Sequence, residues 1–204
     1  MSPFTMSKKK IILLIVALLV FDQIVKIWIK THFMLDQSVT VFPNWFFIGF
    51  IENPGAAFGF ELGGNYGKLI LSVFRLLAIG ALGYYIFYLY RKKAPAGVLA
   101  GFSLIFAGAL GNVLDSAFYG LLFSESTFTS VATFLPEGGG YAGFLHGKVV
   151  DMLFFPIVEG VFPSWIPGVG GEPFLFFSPI FNFADSYITV GVIYLLLFQR
   201  KYFK

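Results

Sequence analysis

The residues best suited to chemistry in this sequence are two aspartates, Asp151 and Asp185, which stand in or beside strongly apolar segments. Asp151 interrupts the apolar run 149–155, and Asp185 follows Asn182 at a spacing of three. Two carboxylates that share a low-dielectric site repel each other, so that one keeps its proton while the other ionises. Such a pair can activate water for attack on a carbonyl carbon.

Other polar residues interrupt the apolar segments at helical spacing. Asn112 stands three residues before Asp115, which places amide and carboxylate on one helical face, either in a site or as hydrogen-bonding glue between helices. Asp22 and Lys26 are four apart, so they share a face and neutralise each other, most simply as a structural ion pair. Arg75 can pair with a carboxylate of a neighbouring helix or with a lipid headgroup, and both alternatives stay open.

The composition excludes most soluble classes of protein. Charged residues make up 12% of the 204, against about 25% in soluble domains, and the mean hydropathy is +0.81. The absence of cysteine excludes disulfides and cysteine-ligated metal sites, and only two histidines remain to support a metal site. We therefore expect neither a metal nor a cofactor, and the chemistry is left to carboxylates, hydroxyls and amides.

Four apolar stretches are long enough to cross a bilayer, which takes about 20 residues. They are 11–29, 68–90, 97–119 and 179–198. The first, preceded by a run of lysines, also has the pattern of a signal peptide. We interpret it as a span, because no small-x-small cleavage site follows Val20 and because its removal would leave an odd number of spans.

The distribution of charge predicts the orientation of these spans. Nine of the fourteen basic residues lie before the first span, between the second and third, and after the fourth: Lys8, Lys9, Lys10, Arg91, Lys92, Lys93, Arg200, Lys201 and Lys204. The positive-inside rule places these segments, and hence both termini, in the cytoplasm. All eleven acidic residues fall in the spans or in the external loops 30–67 and 120–178, so acid chemistry belongs to the outer side.

The external loops carry their own structural signals. The stretch 45–60 alternates and is rich in aromatic residues, with a turn at 53–55, which predicts short strands. The second loop is unusually long, and its Phe, Trp and Pro residues are typical of a segment at the membrane surface. We predict one domain, 1–204: a mainly α membrane protein with four transmembrane helices, both termini cytoplasmic, a small extracytoplasmic β-sheet and a long second external loop at the membrane surface.

Taken in order, five short motifs resemble those of bacterial lipoprotein signal peptidase: Asp22-x-x-x-Lys26, ENPGAAF at 52–58, GALGNVLD at 108–115, VVD at 149–151 and FNFAD at 181–185. The resemblance implies an aspartyl endopeptidase of the bacterial inner membrane with its active site on the extracytoplasmic side. It also implies a substrate, the diacylglyceryl-modified prolipoprotein, cut just before the lipidated cysteine. Membrane lipids and a cyclic peptide inhibitor of the globomycin type are further implied ligands, whereas nucleic acid is not expected because topology explains the basic residues.

By motif position, the resemblance makes Asp151 and Asp185 the catalytic pair. The residues expected to bind substrate or support the site are Asn53, Gly55, Asn112, Asn182, Asp115, Asp22, Lys26 and Arg75. The sequence departs from the family pattern at Ser116, where an arginine is usual, and Arg75 or Lys148 are the candidates for the missing charge. The spacers on either side of Asp151 are also longer than the family's.

The main alternative is a small ion-coupled transporter or proton relay, since intramembrane carboxylates also line transport paths. Two observations count against it. The acidic residues gather at one interface, and no pair of Gly/Pro-broken helices marks an inverted repeat. A purely structural membrane subunit leaves Asp151 and Asp185 unexplained.

Overall fold

The computed structural model describes residues 5–54, 64–156, 158–177 and 179–204. In these ranges the chain is mainly helical, with two small sheets. The helices are α1 Lys8–His32, α2 Gly64–Arg91, α3 Ala96–Leu114 and α4 Phe183–Phe198. The strands are β1 Ser38–Phe42, β2 Phe46–Asn53, β3 Val149–Phe154, β4 Val158–Val161, β5 Pro173–Phe177 and β6 Ile180–Phe181. Helix α3 continues through a π-helical stretch, Asp115–Tyr119, into a last turn, Gly120–Leu122.

Three helical segments are long and apolar enough to span a membrane: Lys8–His32, Leu69–Arg91 and Ala96–Leu122. Helix α4 is also apolar but has only 16 residues. The predicted fourth span, 179–198, is therefore too long at its start. Ile180 and Phe181 pair with β3 as a short strand, and Asn182 caps the helix that follows. The prediction of a mainly α membrane protein is confirmed, with three to four apolar helices.

The outward faces of the helices carry large apolar side chains. Leu13 and Ile24 on α1, Leu77 on α2 and Leu196 on α4 are all more than half exposed. In water such a surface would be a large apolar patch of the kind soluble proteins avoid. It is suited instead to lipid hydrocarbon, in which helices satisfy their backbone hydrogen bonds internally.

Helix α3 is the centre of the bundle, and α1, α2 and α4 all pack against it. Its contact with α4 depends on small residues. A Cβ atom built at Gly108 would overlap the backbone carbonyl oxygen of Ala184, and one at Gly111 would lie 2.8 Å from Oδ2 of Asp22. The glycines thus bring α1 and α4 close to the polar face of α3, as small residues do in other membrane bundles.

The larger sheet is antiparallel, in the order β1-β2-β3-β6. Strand β2 confirms part of the predicted strands at 45–60, whereas 55–60 lies outside the described residues. Strand β3 comes from the predicted second loop and β6 from the start of the predicted fourth span, and no strand was predicted in either place. Val150 and Met152 of β3 are buried in a core with Phe50 and Phe123. Because β3 is mostly buried, its sequence forms an apolar run without the alternation of a half-exposed strand.

Strands β4 and β5 form a separate antiparallel hairpin. It is inserted in the chain between β3, which carries Asp151, and β6, which precedes Asp185. Trp165, in the connection between the two strands, is 78% exposed. The placement of this long loop at the membrane surface stays a prediction.

Candidate active site

The predicted ion pair of α1 is the base of a buried polar network. Nζ of Lys26 lies 3.0 Å from Oδ2 of Asp22 and 2.8 Å from Oδ2 of Asp115, and it donates to Oδ1 of Asn112 at 2.9 Å. An ammonium group has three N–H donors, so these three acceptors use all of them. All three charged side chains are about 1% exposed or less. Lys26 is thereby fixed, and so is the amide that it contacts.

Asn112 connects Lys26 to Asp185 through two hydrogen bonds. Its Oδ1 accepts from Lys26 and also from Nδ2 of Asn182, the latter at 3.1 Å. Since lysine can only donate, the oxygen of the Asn112 amide must face Lys26 and its nitrogen must face away. The nitrogen, Nδ2, donates to Oδ1 of Asp185 at 2.7 Å. A buried cation therefore orients a hydrogen bond to one of the two predicted catalytic carboxylates.

Asn182 links the two predicted catalytic aspartates. It is the N-cap of α4: its Oδ1 accepts from the backbone N–H of Asp185 at 2.9 Å, and the Asp185 carboxylate accepts from the Asn182 N–H at 3.4 Å. This reciprocal arrangement is a capping box. Nδ2 of Asn182 also donates to Oδ1 of Asp151 at 2.7 Å. The sequence placed Asn182 on the helical face of Asp185, whereas the structure has it at the helix end, pointing to both carboxylates.

Asp151 lies on β3 with 5% of its surface exposed. Besides Asn182 it accepts a hydrogen bond from Nδ2 of Asn53, on the neighbouring strand, at 3.3 Å. Burial raises the pKa of Asp151 to about 7, and the negative charge of Asp185 adds to the rise, while the two amide hydrogen bonds oppose it. Asp151 is therefore a carboxyl group that keeps its proton to near neutral pH.

Asp115 connects Lys26 to the sheet and to Gln23. Its Oδ1 accepts from Nε2 of Gln23 at 2.9 Å, and its Oδ2 accepts from the backbone N–H of Val150 at 3.4 Å. Gln23 accepts in turn from the hydroxyl of Tyr119 at 3.1 Å. Asp115 thus attaches β3 to α3 at the residue before Asp151, which fits the supporting role that the sequence suggested.

Arg75 of α2 reaches the position where the family pattern has its arginine. Its Nη1 makes a long hydrogen bond, 3.5 Å, to Oγ of Ser116. The carboxylates of Asp185, Asp115 and Asp151 all attract the guanidinium. Arg75 therefore contacts the π-helical stretch that follows α3, and both of its predicted partners, a carboxylate and a lipid headgroup, stay predictions.

Lys148, the other candidate for the missing charge, binds Oε2 of Glu52 at 3.0 Å. Gly55 lies outside the described residues. Among the residues that the structure does describe, no three His, Asp or Glu side chains come together as metal ligands.

Sequence reasoning missed Gln23, Lys30 and the pairing of Glu52 with two lysines. A lysine one helical turn beyond Lys26 was the only available signal for Lys30.

The fold and the site together define a class. A multi-pass helical protein with a buried and a half-buried carboxylate, joined through asparagine amides, has the side chains of a membrane-embedded aspartic peptidase. The family model described as Signal peptidase (SPase) II matches residues 14–200. The chain belongs to the signal peptidase II family.

Individual relatives agree with this assignment. Lipoprotein signal peptidases from two strains of Porphyromonas gingivalis are 53% identical over 190 residues, which is 93% of this chain and 82% of theirs. That of Amoebophilus asiaticus is 32% identical over 89% of this chain and 73% of its own. A bacterial membrane enzyme solved by the in meso method at 1.9 Å resolution is 26% identical with a TM-score of 0.60, and the match covers 97% of this chain and 96% of that one.

Proposed function

We propose that the protein is the aspartic endopeptidase that removes the signal peptide from prolipoproteins, with Asp151 and Asp185 as its catalytic pair. One observation carries the proposal. The Asn182 amide donates to Asp151 while the same residue caps the helix whose first turn carries Asp185, in a chain of the signal peptidase II family. Membership of this family also speaks against the transporter alternative.

The two carboxylates have different roles in the proposed mechanism. Asp151, whose pKa is raised to about 7, is the protonated member, and Asp185 is the ionised one. Asp185 takes a proton from water as the water oxygen bonds to the scissile carbonyl carbon, and Asp151 gives its proton to the carbonyl oxygen. The tetrahedral intermediate then collapses: the C–N bond breaks, the amine leaves with the proton that Asp185 took up, and Asp151 recovers its own.

The two carboxylates accept hydrogen bonds from different sets of asparagine donors. Asn112 holds Oδ1 of Asp185 at 2.7 Å, and the backbone N–H of Asn182 lies 3.4 Å from Oδ2. Donors of this kind stabilise an ionised carboxylate. Within the described part of the chain, Asp151 accepts hydrogen bonds from the side-chain amides of Asn53 and Asn182, and its burial favours the protonated form. These surroundings support the proposed assignment of acid and base, as in other carboxylate pairs.

The proposed substrate is the one that membership of the family implies, and it fits the proposed location. A prolipoprotein bearing a diacylglyceryl-cysteine keeps its acyl chains in the bilayer, so the bond before that cysteine lies close to the membrane surface. We place the site on the extracytoplasmic side of the bacterial inner membrane, with both termini cytoplasmic. The basic residues at the chain ends and between α2 and α3 support this orientation. Membrane lipids, and an inhibitor of the globomycin type at the same site, complete the proposed ligands.

The test is a gel-shift cleavage assay in detergent or lipid with a purified prolipoprotein, used with and without prior diacylglyceryl transfer. Wild type should cut the lipidated substrate only. Asp185→Asn serves as the blank, because it keeps the shape of the side chain without a base. Equal cleavage of both substrates would contradict the proposed specificity, and no cleavage by folded wild type would contradict the function itself.

A further inference from the structure

A second buried ionic cluster lies outside the catalytic network. It consists of Lys30 on α1, Glu52 on β2 and Lys148 just before β3, together with Ser126 and Tyr141 of the intervening loop. Nothing in the proposed mechanism uses these groups. Buried ion pairs are weak sources of net stability, so stability alone does not explain this cluster beside the site.

Lys30 is fully buried. Its Nζ forms an ion pair with Oε1 of Glu52 and donates to Oγ of Ser126 at 2.9 Å. Ser126 donates in turn to the same carboxylate oxygen at 3.1 Å. The ammonium also lies 5.0 Å from the centre of the Tyr141 ring, within cation–π distance.

Lys148 binds the other oxygen of Glu52. The distance from its Nζ to Oε2 is 3.0 Å, and its own backbone N–H donates to the hydroxyl of Tyr141 at 2.7 Å. Burial works against the charged form of Glu52, but the two lysines outweigh it and hold the pKa of that carboxyl below its usual range. Glu52 is thus an ionised group clamped between two cations.

The sheet register shows what this clamp holds. Glu52 lies directly opposite Val150, and Ile51 lies opposite Asp151. Because side chains alternate between the faces of a sheet, Glu52 and Lys148 lie on one face, while Asn53 and Asp151 share the other. The cluster therefore joins β2 to β3 directly behind the hydrogen bond from Asn53 to Asp151.

We propose that Glu52 is a positioning residue of the peptidase, which fixes β2 against β3 and so holds the Asn53 amide on the Asp151 carboxyl. The proposal rests on the proposed function. It separates two roles on adjacent residues: Asn53 contacts the reacting pair, and Glu52 sets the strand on which Asn53 lies.

The test is Glu52→Gln, which keeps the size of the side chain and removes the charge that holds two lysines. A misplaced amide near the reacting atoms should lower kcat by about 10- to 100-fold and leave KM for the lipidated prolipoprotein nearly unchanged. The matched control is Glu125→Gln, because Glu125 is exposed and lies 3.9 Å from the same Lys148. Its kcat should equal that of wild type.

A pH profile distinguishes positioning from simple stabilisation. The hydrogen bond from Asn53 lowers the pKa of Asp151, so its weakening should move the alkaline limb of kcat to higher pH. Asp185, Lys26 and Arg75 also act on Asp151, and Glu52→Gln leaves all three in place. An unmoved limb, with only a lower Tm, would overturn the proposal.

A double-mutant cycle provides the second readout. If Glu52 acts through Asn53, the variant with both Glu52→Gln and Asn53→Ala should cleave no more slowly than Asn53→Ala alone. Losses that multiply would overturn the proposal. If Glu52→Gln does not fold, adding Lys30→Met removes one unpaired charge and should restore folding but not kcat. A normal kcat in the double variant Glu52→Gln, Lys30→Met would contradict the positioning role of Glu52 but not the proposed function. A wild-type protein that does not cleave the substrate would contradict the proposed function itself.

Discussion

At the scale of single residues, Asp151 and Asp185 illustrate how one residue type acquires two roles. Asp185 lies in the first turn of a helix and accepts a hydrogen bond from the oriented amide of Asn112, whose own orientation is set by Lys26. Asp151 lies on a buried strand, where desolvation dominates. We attribute the proposed roles of acid and base to this difference in environment, since the two side chains are the same.

We predict from this difference that cleavage falls as the pH rises through about 7. The pKa of Asp151 is raised to that value, so the proton that it must donate is present below pH 7 and lost above it. Asp185 raises this pKa further, whereas Lys26 lowers it. The measurement is kcat for the lipidated substrate between pH 5 and 9, and a flat profile across the whole range would contradict the assignment of Asp151 as the acid.

Arg75 allows a second prediction at this scale. Arg75→Ala should slow cleavage by at least about tenfold. The reason is that the substitution removes the positive charge that attracts the carboxylates of Asp185, Asp115 and Asp151. Because Nη1 of Arg75 reaches Ser116, adding Ser116→Arg should restore much of the lost activity. Rates in the single variant equal to those of wild type would show that the guanidinium is not needed.

At the scale of the elements, the site depends on how closely α3 and α4 approach. Any side chain at Gly108 would overlap the backbone of Ala184, which is the residue before Asp185. Backbone cannot move aside as a flexible side chain can, so a methyl group there must displace α4.

Gly108→Ala should therefore destabilise the protein by about 1 to 3 kcal/mol and reduce cleavage. Gly80→Ala on α2 is the matched control, because nothing lies within 4 Å of a Cβ at that position. Thermal unfolding in detergent, followed by tryptophan fluorescence, measures both variants. Equal Tm values for the two would contradict the close α3–α4 contact.

Sequence patterns predicted contacts between residues that are only a few positions apart in the chain. The separation of four between Asp22 and Lys26 predicted the ion pair. The separation of three between Asn182 and Asp185 predicted a shared helical face, whereas the two residues form a capping box at the helix end. The strand β3 was missed because burial hides its alternation. Glu52 and Lys148 are 96 residues apart, and only the β2–β3 register brings them together, which no helical or strand period in the sequence can show.

At the scale of the whole molecule, the basic and the acidic residues are distributed unevenly, as expected of a protein that spans a bilayer. The basic residues flank α1, join α2 to α3 and follow α4, whereas the sheet and the carboxylates lie at the opposite ends of the helices. This asymmetry supports the proposed topology, in which the cleavage site lies where a lipid-anchored substrate emerges into water.

The absence of native cysteine makes the topology directly measurable. A cysteine at Glu137→Cys, an exposed position in the second loop, should react with a membrane-impermeant maleimide in intact spheroplasts. Lys92→Cys, exposed between α2 and α3, should react only after lysis. The reverse pattern would place the active site in the cytoplasm.

The most direct test of the catalytic pair is single-turnover cleavage of lipidated prolipoprotein by Asp151→Asn, Asp185→Asn and Asp115→Asn, each checked for folding by its Tm. The proposed mechanism predicts that the first two are folded and lose cleavage by at least about a thousandfold. Asp115→Asn should instead lose stability and keep part of its rate, because Asp115 supports β3 through Val150. An active Asp151→Asn beside a folded but inactive Asp115→Asn would contradict the pair and move it to Asp115 and Asp185.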